Sequence, residues 1–288
     1  MKNKTTNIEK KLPWINPVGG LGDVLMFSGV LKQVYDKNPE QKYNLIRRTK
    51  YWEMLNGHPA IEKIGFPDKN DKIVDTTYWS MEKLGSGTQR AYQILARSFG
   101  LKTPIEEELY FPTGIKEDTF LHNFIPWKKK NIIISTSSDS PRKMLNPMGW
   151  HYLVERLISN DFLVIQVGKI NDLYIKGCYS LLGTTSPTEL ISLLTKCDLV
   201  ICADNFVMHA AKLVNKPAIV LWGPTNHEVY GYKEHTHFQA DVEFCEYKDK
   251  CIGPHCAENY ATICPLNEQH CLNKLNIDYI YNSVFNLF

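Results

Sequence analysis

No stretch of this 288-residue chain approaches the ~18 consecutive apolar residues of a membrane-spanning helix, so a helical integral membrane protein is not expected. The first ten residues are polar and lysine-rich. They lack the apolar core of a secretory leader, and none is predicted there. Charge of one sign is also missing: 33 Lys and Arg face 31 Asp and Glu, for a net charge of +2. That balance leaves no electrostatic case for nucleic acid as the main partner. Disulfide staples are not expected throughout the chain either. Of eight cysteines, Cys178, Cys197 and Cys202 sit in apolar segments, while Cys245, Cys251, Cys256, Cys264 and Cys271 crowd together near the end. Such a distribution suits a cytoplasmic protein with one special cysteine region.

What is present is α/β periodicity in two similar halves. The first opens with a mostly apolar segment, Leu12 to Val18, followed by the turn Gly19-Gly20-Leu21-Gly22-Asp23. Val24, Phe27, Leu31 and Val34 then recur at helical spacing until Pro39, and Tyr43 to Ile46 reads as a second strand. Strand, glycine turn, helix and strand form the βαβ unit of a parallel sheet. Lys72 to Val74 is a further short strand, and Arg90 to Phe99 a helix stopped at Gly100.

A break around Phe124 to Lys130 separates the second half, which begins with the apolar strand Asn131 to Ile134 and the hydroxyl-rich turn Ser135 to Ser138. Helices are predicted from Gly149 to Ser159, after the capping box Ser186-Pro187-Thr188-Glu189, and from Asn205 to Val214. A short helix is also expected after Gly168, ending near Gly177. Phe162 to Val167, Asp198 to Cys202 and Pro217 to Trp222 are continuous apolar strands, as in parallel sheets covered on both faces. The domains expected are 1–128, 129–275 with a cysteine-rich tail, and a closing helix within 276–288.

Three constellations carry candidate chemistry. In the first, Gly19, Gly20 and Gly22 let backbone approach a ligand at a helix N-terminus. Asp23 there either steadies the helix start or takes a proton from an acceptor hydroxyl. In the second, Thr136 and Ser137 with Arg142-Lys143 offer hydroxyls and cations that suit a diphosphate, or else form an ordinary solvated loop. The third is Cys202-Ala203-Asp204-Asn205-Phe206-Val207-Met208-His209. Asp204 is expected at the N-cap of the following helix, and His209 is either a core histidine or a ligand contact. Trp222-Gly223-Pro224-Thr225 turns at the same edge.

In order and spacing these stretches resemble the bacterial heptosyltransferases of glycosyltransferase family 9, over roughly Trp14 to Leu275. Gly19 to Met26 is similar to the family's glycine-Asp-Val/Ile opening. Asp204 to His209 is similar to its Asp-(Ser/Thr)-Gly-x-x-His helix, and Trp222 to Thr225 to its (Phe/Tyr)-Gly-Pro-Thr strand end. The resemblance implies two facing Rossmann-like domains with parallel sheets, the GT-B architecture. It implies inverting transfer of a sugar, usually heptose from ADP-heptose, to a glycan or glycolipid acceptor, with no metal required for the reaction. By resemblance Asp23 is the general base; Thr136, Ser137, Lys143, Asp204, Asn205 and His209 bind the donor. A surface-glycan acceptor implies at most peripheral contact with the inner membrane.

The chain departs from the pattern at Asn205-Phe206, where the motif's glycine is lost. It also lacks a matching carboxylate after the strand ending near Val167, where Gly168-Lys169-Ile170 stands. A different sugar nucleotide, or a nucleotide- or glycan-binding module without transfer, are the competing expectations. Cys251, Cys256, Cys264 and Cys271 are candidates for structural zinc or iron, or else reduced thiols that merely cluster. None of the spacings is the two-residue gap of common zinc knuckles.

Overall fold

The computed structural model describes residues 11–47, 51–78, 89–115, 120–247, 251, 264–266 and 271–288. The chain divides into two compact units, Met1–Thr77 with Leu95–Thr113, and Tyr78–Ile94 with Gly114–Phe288.

The first unit is built on strands β1 (Trp14–Ile15), β2 (Tyr43–Ile46), β3 (Ile61–Gly65) and β4 (Ile73–Val74). They form a parallel sheet in the order β3-β2-β1-β4. Helix α1 (Leu21–Lys37) follows β1 and buries Val24, Phe27, Val30, Leu31 and Val34. Each such side chain contributes roughly 1.5–3 kcal/mol by leaving water. Phe99, just beyond α2 (Ala91–Ser98), packs edge-on against both Phe27 and Tyr43, with ring centroids 5.6 and 5.5 Å away. The chain leaves β1 toward β2 and β3 on one side and returns to β4 on the other. That reversal puts a crevice beyond the carboxyl end of β1, where the Gly19–Asp23 turn lies.

The second unit carries a six-stranded parallel sheet of β5 (Asn131–Ser135), β6 (Leu163–Gly168), β7 (Tyr179–Leu182), β8 (Leu199–Ala203), β9 (Ala218–Trp222) and β10 (Thr236–Gln239). Their order is β10-β9-β8-β5-β6-β7. β5, β8 and β9 are buried at every position, as the apolar runs they carry predict, and in β5 the burial extends to Asn131 and Ser135 at its ends. The connecting helices are α3 (Pro147–Ser159), α4 (Pro187–Leu194), α5 (Phe206–Leu213) and the short α6 (His227–Tyr230). The capping box before α4 forms: Ser186 Oγ accepts from Glu189 N–H, and the Glu189 carboxylate accepts from Ser186 N–H. Helix α7 (Ile277–Phe285) closes the chain, laying Ile280 and Val284 into one core with Trp150, Leu153 and Leu157 of α3. No helix among the described residues is long and apolar enough to cross a membrane.

One expected element is absent. Lys169 to Cys178 forms turns rather than a short helix. Asp172 there uses its carboxylate to accept from Lys169 N–H at 2.7 Å, and Gln166 accepts from Ile175 N–H at 2.8 Å. Side chains thereby satisfy backbone groups that a helix would have paired internally. The sheet order again reverses beside β5, whose neighbours β6 and β8 belong to the two outward-running halves. The crevice this creates lies beyond the ends of β5 and β8.

Candidate active site

In the first unit the glycine turn is shaped around one carboxylate. Gly19 has φ of +100°, a conformation that side chains resist, and a Cβ there would stand 2.3 Å from Asp23 Oδ2. Gly20 N–H donates to that same oxygen at 2.6 Å, while Gly22 is buried in the first turn of α1. Asp23 is thus held in one orientation, half-buried, in the first turn of α1. Ionised, it can accept a proton.

The second unit's crevice draws together most of the other expected residues. Lys143, in a 3₁₀ turn spanning Pro141–Lys143, pairs with Asp204 at 2.8 Å. Thr225 donates its hydroxyl to the same carboxylate oxygen at 2.7 Å. Burial alone would raise the Asp204 carboxyl. The Lys143 charge and the bonds from Lys143 and Thr225 overcome that and hold it below the usual carboxylate range. Asp204 is not the helix cap expected of it. Asn205 occupies the N-cap of α5, accepting from Val207 N–H at 2.9 Å. Asn205 also donates to Ser135 Oγ at 3.0 Å and to the Ser137 carbonyl at 2.7 Å, tying the hydroxyl loop to the start of α5. The amide therefore performs three tasks at a position where a serine hydroxyl has one hydrogen to give.

Thr136 is buried, with its hydroxyl 3.4 Å from the Gln166 amide. Ser137 donates to Asp172 at 2.5 Å, and Ser138 to the Asp204 carbonyl at 2.9 Å. Asp172 escaped the sequence reading. It lies four residues past the end of β6, and it fits only because Gly168, at φ +157°, has no Cβ; one would stand 2.3 Å from the carboxylate. The pattern repeats that of Gly19 and Asp23, and a glycine followed four residues later by an aspartate was the available signal. Arg142 does not share Lys143's direction. Its guanidinium is buried against Cys251, 3.4 Å from the carbonyl and 3.5 Å from Sγ.

His209 is buried on α5, and burial pushes its imidazole down to about 4, so it is neutral at physiological pH. Its Nδ1 meets the Tyr232 hydroxyl at 2.6 Å. Cys202 lies wholly inside the sheet, where burial raises its thiol far from reactivity.

Beside this crevice, Cys245, Cys251, Cys264 and Cys271 line one small pocket with Phe244 and Pro224. Pro224 directly precedes Thr225, and Leu272 packs on Gly223 so closely that a Cβ there would stand 2.9 Å from it. The cysteine tail is therefore fastened to the turn that carries Thr225. Burial pushes the Cys271 thiol up to about 11. Among the described residues no three of His, Cys, Asp and Glu form a group that could hold a metal ion. Cys256 lies outside those residues.

Known proteins resemble this chain in sequence and in fold. A 32% identical match to lipooligosaccharide heptosyltransferase 2 of Haemophilus influenzae extends over 92 residues, 27% of each chain. The ADP-heptose LPS heptosyltransferase II of E. coli superposes with a TM-score of 0.65 at 13% identity, covering 96% of this chain and 98% of its own. The dodecameric iron-containing heptosyltransferase TibC, solved with ADP-D-beta-D-heptose, superposes with a TM-score of 0.72 at 13% identity, covering 96% and 77%. The two superpositions establish the fold, two parallel-sheet α/β units of the GT-B type. The family model for glycosyltransferase family 9 (heptosyltransferase) matches residues 86–260, more than half of the chain. The chain belongs to glycosyltransferase family 9, the heptosyltransferases.

Proposed function

We propose that this protein transfers a heptose from ADP-heptose to a lipopolysaccharide-type acceptor with inversion at the anomeric carbon. Asp23 takes the proton of the acceptor hydroxyl as its oxygen attacks the face opposite the nucleotide. The bond from the anomeric carbon to the diphosphate breaks, and ADP leaves with the electron pair. Lys143 and the Thr136 hydroxyl bind the departing diphosphate, with Ser137, Asn205 and His209 completing the donor site. Stabilising that developing charge is the larger catalytic contribution. The observation that carries this reading is the buried Lys143–Asp204–Thr225 cluster at the strand reversal of a family-9 chain. It sets a cation where α/β sheets bind ligands. The reading is of a cytoplasmic enzyme that meets a glycolipid acceptor by peripheral contact with the inner membrane.

Calorimetric titration with ADP, GDP and UDP in parallel tests the donor. ADP is expected to bind best. Preference for another nucleotide moves the donor within the same fold, and binding without transfer across donors and acceptors makes the chain a binding module. No binding to any of the three overturns the proposal.

We also propose that the cysteine tail is organised by a structural zinc or iron ion, apart from the chemistry of transfer. Its support is that four soft thiols line one pocket, although among the described residues no three of them stand together as a metal-binding group. The similar transferase TibC is itself iron-containing. Protein purified without chelator is expected to carry close to one metal per chain by mass spectrometry, lost in a Cys251→Ser/Cys271→Ser variant. Metal-free protein whose tail thiols all react with a thiol reagent would refute this.

A further inference from the structure

The strongest unused feature of the second unit is the tyrosine that contacts His209. Tyr232 is buried, and its ring meets the imidazole edge-on at 84° with centroids 5.5 Å apart. Its own backbone is pinned from two sides. Arg90 donates to the Gly231 carbonyl beside it and, at 2.9 Å, to the Glu228 carbonyl. His237 lies with Nε2 2.9 Å from the Tyr232 carbonyl and Nδ1 3.0 Å from Trp222 Nε1. An indole N–H can only donate and a carbonyl can only accept. His237 must therefore accept at Nδ1 and donate from Nε2–H, as a neutral ring does. A single tautomer at His237 thus locks Tyr232 to the end of β9.

Tyr232 in turn meets His209. That residue is 8% exposed, and among the described residues its Nε2 makes no hydrogen bond. It stands close enough to Asp204 and Lys143 to feel both charges. A ring nitrogen with no partner among the described residues, on the open side of a buried imidazole and beside a buried cation, is available to a partner from outside. A diphosphate consists of acceptors, so it selects a donor there.

We propose that Tyr232 is a positioning residue: its hydroxyl donates to His209 Nδ1 and fixes the neutral Nε2–H tautomer, which offers an N–H to the donor's phosphate beside Lys143. The need for a phosphate at that place rests on the donor reading above; the tautomer does not. Neutrality matters because a second cation beside Lys143 would pay repulsion before any ligand arrived. A neutral N–H supplies direction without that charge.

The test is nitrogen-15 spectroscopy of histidine-labelled full-length protein at pH 7, with His209→Gln used to assign the signal. Wild-type His209 is expected in the Nε2–H form without nucleotide. Tyr232→Phe removes one oxygen, so the ring stays buried while His209 becomes a mixture of tautomers. ADP affinity is expected to fall roughly 3- to 10-fold, the net value of one hydrogen bond. In His209→Gln, whose amide N–H substitutes for Nε2–H, Tyr232→Phe should then change little. A wild-type spectrum of the Nδ1–H form overturns the inference whatever binds. So does a Tyr232→Phe protein with unaltered tautomer and unaltered ADP affinity. Failure of wild-type protein to bind ADP, GDP or UDP sinks the donor reading instead, and the tautomer measurement still decides the role of Tyr232.

Discussion

Asp23→Asn is expected to lower kcat by about 10²- to 10⁴-fold, the usual span for general-base catalysis, and to leave ADP affinity within about twofold. The reason lies in what asparagine keeps. Its amide oxygen can still accept from Gly20 N–H, the bond that Asp23 Oδ2 makes at 2.6 Å. It also fits the space that Gly19 leaves open. The helix start and the turn should therefore persist, and only basicity is lost. Asp23→Ala lacks this advantage, since it removes the acceptor as well and confounds catalysis with local structure. Because the residues proposed to bind the donor sit in the other compact unit, a change confined to Asp23 should leave nucleotide binding alone. Steady-state transfer assays with paired calorimetry read both quantities. Unchanged turnover in Asp23→Asn would remove Asp23 as the base.

Lys143→Met should affect both stability and donor binding. Lys143 and Asp204 are 13% and 9% exposed at their side chains, so the pair is held largely out of water. Removing the cation leaves a buried carboxylate supported only by the Thr225 hydroxyl, at a cost of about 3–5 kcal/mol by analogy with other broken buried pairs. The pH dependence separates this from a packing effect. In the wild type the Asp204 carboxyl is depressed on folding. Its contribution is therefore present above the unfolded value near about 3.9 and is lost only as pH falls through the lower folded value. Without Lys143, burial dominates and raises the carboxyl instead. The variant should then be most deficient at neutral pH and recover relative to wild type as acid protonates Asp204. Denaturant unfolding at pH 7 and pH 5 measures both. Lys143→Met/Asp204→Leu should regain much of the stability, because no charge is left unpaired, yet still bind ADP weakly. A double variant that recovered affinity would mean that Lys143 serves the fold and not the ligand.

Particular strands show how far the sequence could be read. β5, β6, β8 and β9 occupy the inside of the second sheet and were legible as apolar runs. β7 and β10 are its edges, half-covered and chemically mixed as Tyr-Ser-Leu-Leu and Thr-His-Phe-Gln, and they gave no such signal. β3, an edge of the first sheet with the sequence Ile-Glu-Lys-Ile-Gly, was missed for the same reason. An edge strand is specified by the neighbour that hydrogen-bonds to it, and that neighbour is distant in the chain.

The site divides along the same line. Local chemistry was sufficient for the glycine turn with Asp23, the capping box at Ser186, the hydroxyl loop after β5 and the placing of Cys202 in an apolar segment. Each depends on residues within a few positions of one another or on plain hydrophobicity. Only the tertiary structure assigned Asp204 to Lys143 and Thr225 while giving the cap to Asn205, turned Arg142 to Cys251, brought Asp172 to Ser137 and set Tyr232 against His209. These partners are separated by 21 to 109 positions, Asn205 and its own helix aside. Periodicity records which face of an element is buried, but the choice of polar partner is made by sheet order, which carries strand ends together regardless of their distance in sequence.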